Sequence, residues 1–250
     1  MIGCSDVKYH KRKIHRMRKI ITAMLAAFMT IASLTACAGS GEQGLTLSDE
    51  NFVIKDGVLR SYNGSGGEVE IPEGVTAVGQ LAFFRRSELT GVVIPDGTEA
   101  LEKMAFGECK VLTYVEIPNT VKSIGESAFF ACDSFESIML PDSITDIGSN
   151  AFFGCGSLLS ITIPEKVTDI GSLTFGSCGS LSEVTLSESI KSIGNGAFQN
   201  CYSLKSMVIP DRVNSIGEFA FNNCESIEIT YKDTEYTYDT LDDLYKAING

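Results

Sequence analysis

A repeat of 23 residues is the feature that most constrains how this chain can fold. The dipeptide Ile-Pro, or a close variant of it, begins at positions 71, 94, 117, 140, 163, 186 and 209 with constant spacing. A fixed period of about 20 to 50 residues is typical of solenoids, in which each repeat forms one coil stacked on the last. The sequence therefore predicts a solenoid of seven coils rather than one or two compact globular domains.

Each repeat contains a short segment in which apolar residues alternate with other residues, as in Leu158-x-x-Ile161-x-Ile163. This alternation predicts a strand with one face turned inward, and successive coils would place these strands side by side in a parallel sheet. Proline directly follows the strand in six coils (Pro72, Pro95, Pro118, Pro141, Pro164 and Pro210). Because proline has no N–H group, it is expected to end strand pairing at the same point in each coil.

Phenylalanine occupies one position in all seven repeats, and we expect its rings to form the largest single stabilising contribution. The column consists of Phe83, Phe106, Phe129, Phe152, Phe175, Phe198 and Phe221. Burying one such ring stabilises a fold by roughly 1.5–3 kcal/mol.

Cysteine fills a second column in six of the seven repeats: Cys109, Cys132, Cys155, Cys178, Cys201 and Cys224. Stacked coils would point these side chains in parallel, whereas a disulfide needs a particular Cβ–S–S–Cβ twist. We therefore predict a row of buried thiols facing loop backbone, with sporadic disulfides or a metal site as alternatives. A linear row does not supply four converging ligands, and both histidines lie in the N-terminal segment, so no metal is predicted.

The consensus Ile-Pro-x-x-Val-x-x-Ile-Gly-x-x-Ala-Phe-x-x-Cys-x-Ser-Leu-x-x-Val resembles the BspA-like leucine-rich repeat family over about residues 71–229. The resemblance implies a β-rich α/β solenoid: a right-handed superhelix with a parallel sheet on one side and short helical turns or loops on the other. It also implies a surface protein of host-associated bacteria or protists that acts in adhesion or protein binding, without catalysis or a cofactor. The second repeat departs from the consensus at Thr98, Leu101 and Glu102, where we expect a local irregularity.

The N-terminal segment resembles a bacterial lipoprotein signal. Arg18 and Lys19 precede an apolar run over 20–32, and Leu34-Thr35-Ala36-Cys37 follows. The interpretation is a signal peptide over 1–36, with Met17 as an alternative start, then lipidated Cys37 and a flexible tether over 37–50. The protein would be anchored at the extracellular face of the bacterial membrane through Cys37 alone. An uncleaved membrane anchor and ordinary cleavage are the alternatives.

Both ends of a solenoid must be covered, and the flanking segments predict two caps. Residues 51–70 are expected to form an N-terminal cap with a β-hairpin turning at Asp56-Gly57. The repeat runs over 71–229. Residues 230–250 are expected to form a C-terminal cap with a short helix that starts at Thr240, with Leu241, Leu244 and Ile248 on one face.

Charge excludes one class of partner. Seven of the 20 basic residues but one of the 32 acidic residues lie in 1–36, which leaves 37–250 with a net charge of −18. Such a body repels phosphate, so no nucleic-acid binding is expected. One further column holds Glu73, Asp96, Asn119, Asp142, Glu165, Glu188 and Asp211, directly after the proline position. Turn chemistry explains this column, and a stripe of Ca²⁺ sites is the alternative.

Outward-facing strand residues are the predicted contact surface for a protein or matrix partner. They are Tyr114, Glu116, Ser137, Met139, Thr162, Glu183 and Thr185. An exposed apolar ridge of Phe130 and Phe153 in adjacent coils, with Phe84 in the first, is a second possible surface, and partial burial of these rings is the alternative. A glycan-binding module, disfavoured by the lack of Trp, and a structural spacer are the alternative functions. An enzyme is disfavoured because no nucleophile motif is present, and a monomer is the expected state.

Overall fold

The structure is a computed structural model that describes residues 50–250, which lie within a compact unit of the chain spanning 44–250. The predicted signal peptide, Cys37 and nearly all of the tether therefore lie outside the described residues. Within residues 50–250, no helix has the length and apolar character needed to cross a bilayer.

The described chain begins with an antiparallel hairpin of β1 (Phe52–Lys55) and β2 (Val58–Tyr62). The turn between them has two residues, Asp56 and Gly57, with φ of 53° and 75°. Positive φ at both central residues matches the primed turns whose twist suits a hairpin. Strand β2 then pairs in parallel with the first coil, so the hairpin also serves as the first layer of the stack.

The longer strands of successive coils form the predicted parallel column. They are β3 (Gly67–Glu70), β5 (Leu89–Val93), β7 (Tyr114–Glu116), β10 (Ser160–Thr162), β12 (Glu183–Thr185), β14 (Ser206–Ile209) and β16 (Glu228–Tyr231). Inward residues pair with inward residues, as Ile161 does with Val184, and both are buried. The period-two alternation in the sequence therefore defines the buried face of this column.

A second column of parallel strands was not predicted from the sequence. It contains β4 (Ala77–Val78), β6 (Ala100–Leu101), β8 (Ser123–Ile124), β9 (Asp146–Ile147), β11 (Asp169–Ile170), β13 (Ser192–Ile193) and β15 (Ser215–Ile216). Glycine follows six of these seven strands and permits close contact between coils. A Cβ on Gly125 would lie 2.8 Å from the carbonyl carbon of Glu102.

The second coil is regular, so the expectation of a local irregularity there was wrong. Leu101 pairs in parallel register with Val78. Thr98 is buried in place of an apolar residue, and its hydroxyl donates to the carbonyl oxygen of Val75 at 2.9 Å. Glu102 replaces glycine, yet its backbone N–H still donates to Val78 at 2.8 Å. Each departure from the consensus is therefore accommodated without a change in the backbone.

The seven column phenylalanines are fully buried and stack along the solenoid. Consecutive ring centroids lie 5.1–5.6 Å apart, and their planes differ by 3–13°. The N-terminal hairpin extends the stack. The ring centroid of Tyr62 lies 5.1 Å from that of Phe83 and 5.1 Å from that of Phe52. The hairpin thus covers the first ring with two further aromatic residues.

Around each phenylalanine the chain makes a tight turn with two residues in the left-handed region. The first such column has φ of 52–61° and contains Leu81, Met104, Ser127, Asn150, Leu173, Gly196 and Phe219. The second has φ of 53–73° and contains Arg85, Glu108, Ala131, Gly154, Ser177, Asn200 and Asn223. Between them, Phe83 N–H donates to the carbonyl of Ala105 in the next coil at 2.8 Å. This turn supplies a third line of backbone hydrogen bonds between coils.

The longer-strand column is interrupted at two places in the described residues, each beside an exception to its residue column. At Ser137 the strand is reduced to a single bridge with Ser160. There Phe135 replaces the usual leucine, and its ring packs 5.5 Å from that of Phe129. Strands β12 and β14 also belong to separate sheets, where Met207 replaces the usual valine or isoleucine.

The short-strand column is interrupted once, between β9 and β11. Asp146 and Asp169 occupy the same position in these two coils, where the neighbouring coils carry serine. Like charges directly opposite each other in a sheet destabilise the pairing. Repulsion between the two carboxylates therefore accounts for the interruption.

The C-terminal cap consists of β17 (Thr234–Thr237), antiparallel to β16, and helix α1 (Leu241–Asn249). Leu244 and Ile248 are buried against the core. The Asn249 side chain accepts from the N–H of Ile216 at 2.9 Å and donates to its carbonyl at 3.0 Å. The amide thereby satisfies the polar groups at the open edge of the last short strand.

Candidate functional site

The predicted contact residues lie on the outward side of the longer-strand column, which we call the strand face. Tyr114 is half-buried, and its ring lies against Gly91. A Cβ on Gly91 would lie 2.3 Å from this ring. Glu116 and Met139 are exposed, and Met139 has 53% of its surface accessible. The glycine in the preceding coil therefore creates the space that holds the tyrosine ring against the sheet.

The structure divides this predicted surface into two parts. Strand pairing places Thr162 beside Thr185, and Ser160 beside Glu183, across β10 and β12. Ser137 joins this group through its bridge to Ser160. Tyr114 and Glu116 belong to the sheet formed by β3, β5 and β7, which ends before Ser137.

A cleft on the strand face was not predicted from the sequence. It has a volume of about 400 Å³ and crosses β12, β14, β16 and β17. Four carboxylates line it, from Glu183, Glu188, Glu228 and Glu235. Its apolar lining includes Leu186, Val208 and Pro210, and no lysine or arginine is among the described residues that line it. The available sequence signals were Met207 in a valine column and Ser187 in the proline column.

A smaller opening of about 340 Å³ lies at the interruption between β9 and β11. Asp146 accepts from the Thr145 hydroxyl, and Asp169 accepts from the hydroxyls of Thr168 and Ser192. Hydrogen bonds from Ser192 and Thr168 hold the pKa of Asp169 below its usual range. The bonds to Asp169 favour its ionised form, which faces the Asp146 side chain across the gap.

All six column cysteines are buried free thiols. Each thiol donates to the carbonyl oxygen of a column phenylalanine at 3.0–3.2 Å, from Cys109 to Phe83 through Cys224 to Phe198. Burial raises the pKa of Cys109 and Cys155 to about 12. Because a thiolate is the nucleophile and the metal ligand, this row is chemically inert at neutral pH. In the described part of the chain, no group of three or more His, Cys, Asp or Glu residues is arranged to hold a metal.

The predicted apolar ridge is discontinuous. The rings of Phe130 and Phe153 stack at 5.5 Å with planes 7° apart, and both residues are half-buried. Phe84 is separated from them by Gly107, where a Cβ would lie 3.2 Å from the Phe84 ring. Two stacked rings and one isolated ring therefore replace the continuous ridge.

The column after the prolines is exposed in all seven coils, so its six acids face water. Other acids pair with basic residues one coil away. Arg85 lies 2.8 Å from Glu108, and Lys103 lies 2.9 Å from Glu126. The Arg85 guanidinium holds the pKa of Glu108 below its usual range. Because water screens these exposed pairs, they add little to the stability of the fold.

Parallel strand columns, a 23-residue coil and little helix define a β-solenoid of leucine-rich repeats. The chain belongs to the BspA type leucine-rich repeat family, whose model matches six copies over residues 60–180 and 122–240. The sequence-based assignment of fold and family is confirmed. No curated protein sequence matches the chain.

Solved structures of other leucine-rich repeat proteins are similar to this chain. A leucine-rich cell surface protein from Faecalibacterium prausnitzii is 31% identical over 77% of this chain, with a TM-score of 0.68. A leucine-rich repeat protein from Bacteroides ovatus is 33% identical over 73%, with a TM-score of 0.65. The leucine-rich repeat protein of T. pallidum is 27% identical over 81%, with a TM-score of 0.69. The chain covers 56%, 50% and 95% of these proteins, respectively.

Proposed function

We propose that this protein is a lipid-anchored protein of the outer face of a bacterial membrane that binds a protein or matrix ligand through its strand face. The observation that supports it is the fixed register of the outward side chains. Thr162 and Thr185, for example, are neighbours because their strands pair residue by residue. Side chains held by a rigid backbone lose little conformational entropy on binding, which favours recognition by an extended surface.

Two further observations support a non-enzymatic role at the cell surface. The column thiols have raised pKa values and are buried, which removes the most nucleophilic groups of the repeat from solvent. The similar protein from Faecalibacterium prausnitzii is described as a cell surface protein. Attachment through Cys37 completes the proposal and depends on the N-terminal sequence.

The anchor is tested by labelling bacteria that express the full chain with radioactive palmitate. Wild type and Cys4→Ala should carry label, and Cys37→Ala should not. Retention of label by Cys37→Ala would exclude this anchor.

The binding role is tested by using the full chain, purified in detergent, as bait for host-cell and matrix proteins. Tyr114→Ala combined with Met139→Ala should reduce recovery of a captured protein, whereas Asp142→Asn combined with Glu165→Gln should not. Equal recovery by both variants would exclude the part of the strand face around Tyr114 and Met139, and capture of glycan alone or of nothing would support the glycan-binding or spacer alternatives.

A further inference from the structure

We propose that the cleft across β12, β14, β16 and β17 is the docking site for a basic, extended segment of the protein ligand. This proposal rests on the proposed function, because the cleft is part of the strand face. It identifies the chemistry of the partner: lysine or arginine side chains alternating with apolar ones.

Charge complementarity is the first argument. Glu183, Glu188, Glu228 and Glu235 surround the cleft, and no basic side chain lines it among residues 50–250. Elsewhere on the solenoid, carboxylates such as Glu126 are neutralised by a basic residue one coil away, here Lys103. The cleft therefore concentrates negative potential, which attracts basic segments and speeds their encounter.

The apolar lining is the second argument. Val208 lines the cleft with 66% of its surface accessible, and Leu186 and Pro210 also line it. Acids around an apolar floor match a segment whose charged and apolar residues alternate, since alternate residues of an extended chain point in opposite directions. A free metal ion or a small polyamine would leave the apolar floor unused.

The interruption of the sheet is the third argument, because it explains why the cleft lies at this place. Strands β12 and β14 are in separate sheets, whereas β14 and β16 pair over four residues. Ser187 replaces proline between two residues that line the cleft. Its hydroxyl is buried, with 5% of the residue exposed, and it has no hydrogen-bond partner among the described residues. This exception in the proline column therefore lies where the longer-strand column is interrupted.

The experiment uses the full chain in detergent and a labelled synthetic peptide in which lysine and valine alternate. Fluorescence anisotropy should show binding that weakens as salt is raised, because exposed charges are screened. A peptide that alternates glutamate and valine should not bind. Failure of the lysine–valine peptide to bind at millimolar concentration would overturn the proposal.

Variants locate the binding. Glu228→Gln combined with Glu235→Gln should weaken binding about tenfold, since two exposed ion pairs are lost. The matched control, Asp142→Asn combined with Glu165→Gln, removes the same charge outside the cleft and should leave affinity unchanged. Equal weakening by both pairs would mean that net charge alone attracts the peptide, which overturns the proposal.

A third variant guards against a folding defect. Val208→Lys adds a positive charge at an exposed site and should also weaken peptide binding while the circular dichroism spectrum and thermal midpoint stay unchanged. Unchanged peptide affinity in this variant would contradict docking in the cleft. The peptide measurement tests the cleft alone, whereas loss of a captured protein in Tyr114→Ala with Met139→Ala tests the strand-face function alone. Failure of the cleft proposal can therefore be distinguished from failure of the proposed function.

Discussion

The thiol of Cys155 donates a hydrogen bond to the carbonyl oxygen of Phe129, 3.2 Å away in the preceding coil. The same bond recurs in every coil that carries the cysteine. The two columns that dominate the sequence are thus one structural unit. The ring fills the core, and the thiol in the next coil donates a hydrogen bond to the carbonyl oxygen of the same phenylalanine.

Removal of one ring from the middle of the stack should be costly. Phe152 packs against Phe129 and Phe175 at 5.3 and 5.5 Å and is fully buried. Phe152→Ala should lower the free energy of unfolding by about 3–5 kcal/mol, measured by chemical denaturation. The matched control is Phe153→Ala, which removes the adjacent half-buried ring and should cost clearly less. Equal losses would show that the Phe152 ring is no better buried than its neighbour.

The thiol row should be unreactive until the protein unfolds. Burial raises the pKa of Cys109 to about 12 and of Cys224 to about 11. The six thiols should react slowly with Ellman's reagent in the folded protein and completely in denaturant without reductant. Recovery of fewer than six free thiols from the column cysteines after denaturation would indicate disulfides.

The same pKa values predict how stability depends on pH. An unfolded cysteine loses its proton near pH 8.5, whereas folded Cys155 keeps it until about pH 12. Rising pH therefore favours the unfolded state, which binds fewer protons, and stability should fall between these values. Cys155→Ala should reduce the slope of unfolding free energy against pH by up to about 1.4 kcal/mol per pH unit. A slope that is the same in the variant would contradict the raised pKa.

One exposed ring occupies a strained backbone position. Phe219 has φ of 58° and 62% of its surface exposed, at a position where Asn150 stands in an earlier coil. Left-handed backbone costs an ordinary L-residue about 1–2 kcal/mol, and asparagine tolerates it better. Phe219→Asn should raise the free energy of unfolding by about 0.5–1 kcal/mol. Leu159→Asn, at an exposed position without positive φ, should give no such gain.

Repulsion between two carboxylates should be measurable as a stability difference. Asp146→Ser places at this position the residue that Ser123 and Ser192 supply in other coils. The free energy of unfolding should rise by roughly 0.5 kcal/mol at low salt, and the gain should shrink as salt is added. Asp142→Ser, an exposed acid in the proline-turn column, serves as the control. A gain that persists at high salt would point to a cause other than charge.

The residue columns allowed much of the fold to be predicted from the sequence. Phenylalanine recurs at one position in all seven coils, so its common environment follows from the period alone. The short second strand column was missed because two residues are too few for alternation to be detected. The left-handed positions were missed because residues such as Leu81, Arg85 and Met104 occupy them instead of glycine or asparagine.

Prediction of the candidate site was limited in a different way. Period-two alternation places Thr162, Glu183 and Thr185 on the outward face, and the structure puts them there. The cleft depends on the separation of β12 from β14. This separation follows from how the side chains pack and cannot be predicted from the repeat pattern. Only the exceptions within columns, Met207 and Ser187, mark its position in the sequence.

The central claim is that successive coils stack around one column of phenylalanine rings. Residue-resolved amide hydrogen exchange on the full chain tests this claim most directly. The N–H groups of Phe83, Phe106, Phe129, Phe152, Phe175 and Phe198 each donate to a carbonyl in the next coil at 2.8–2.9 Å. Slow exchange should therefore recur at these amides with a period of 23 residues. Fast exchange at the phenylalanine amides of the central coils would contradict the stack.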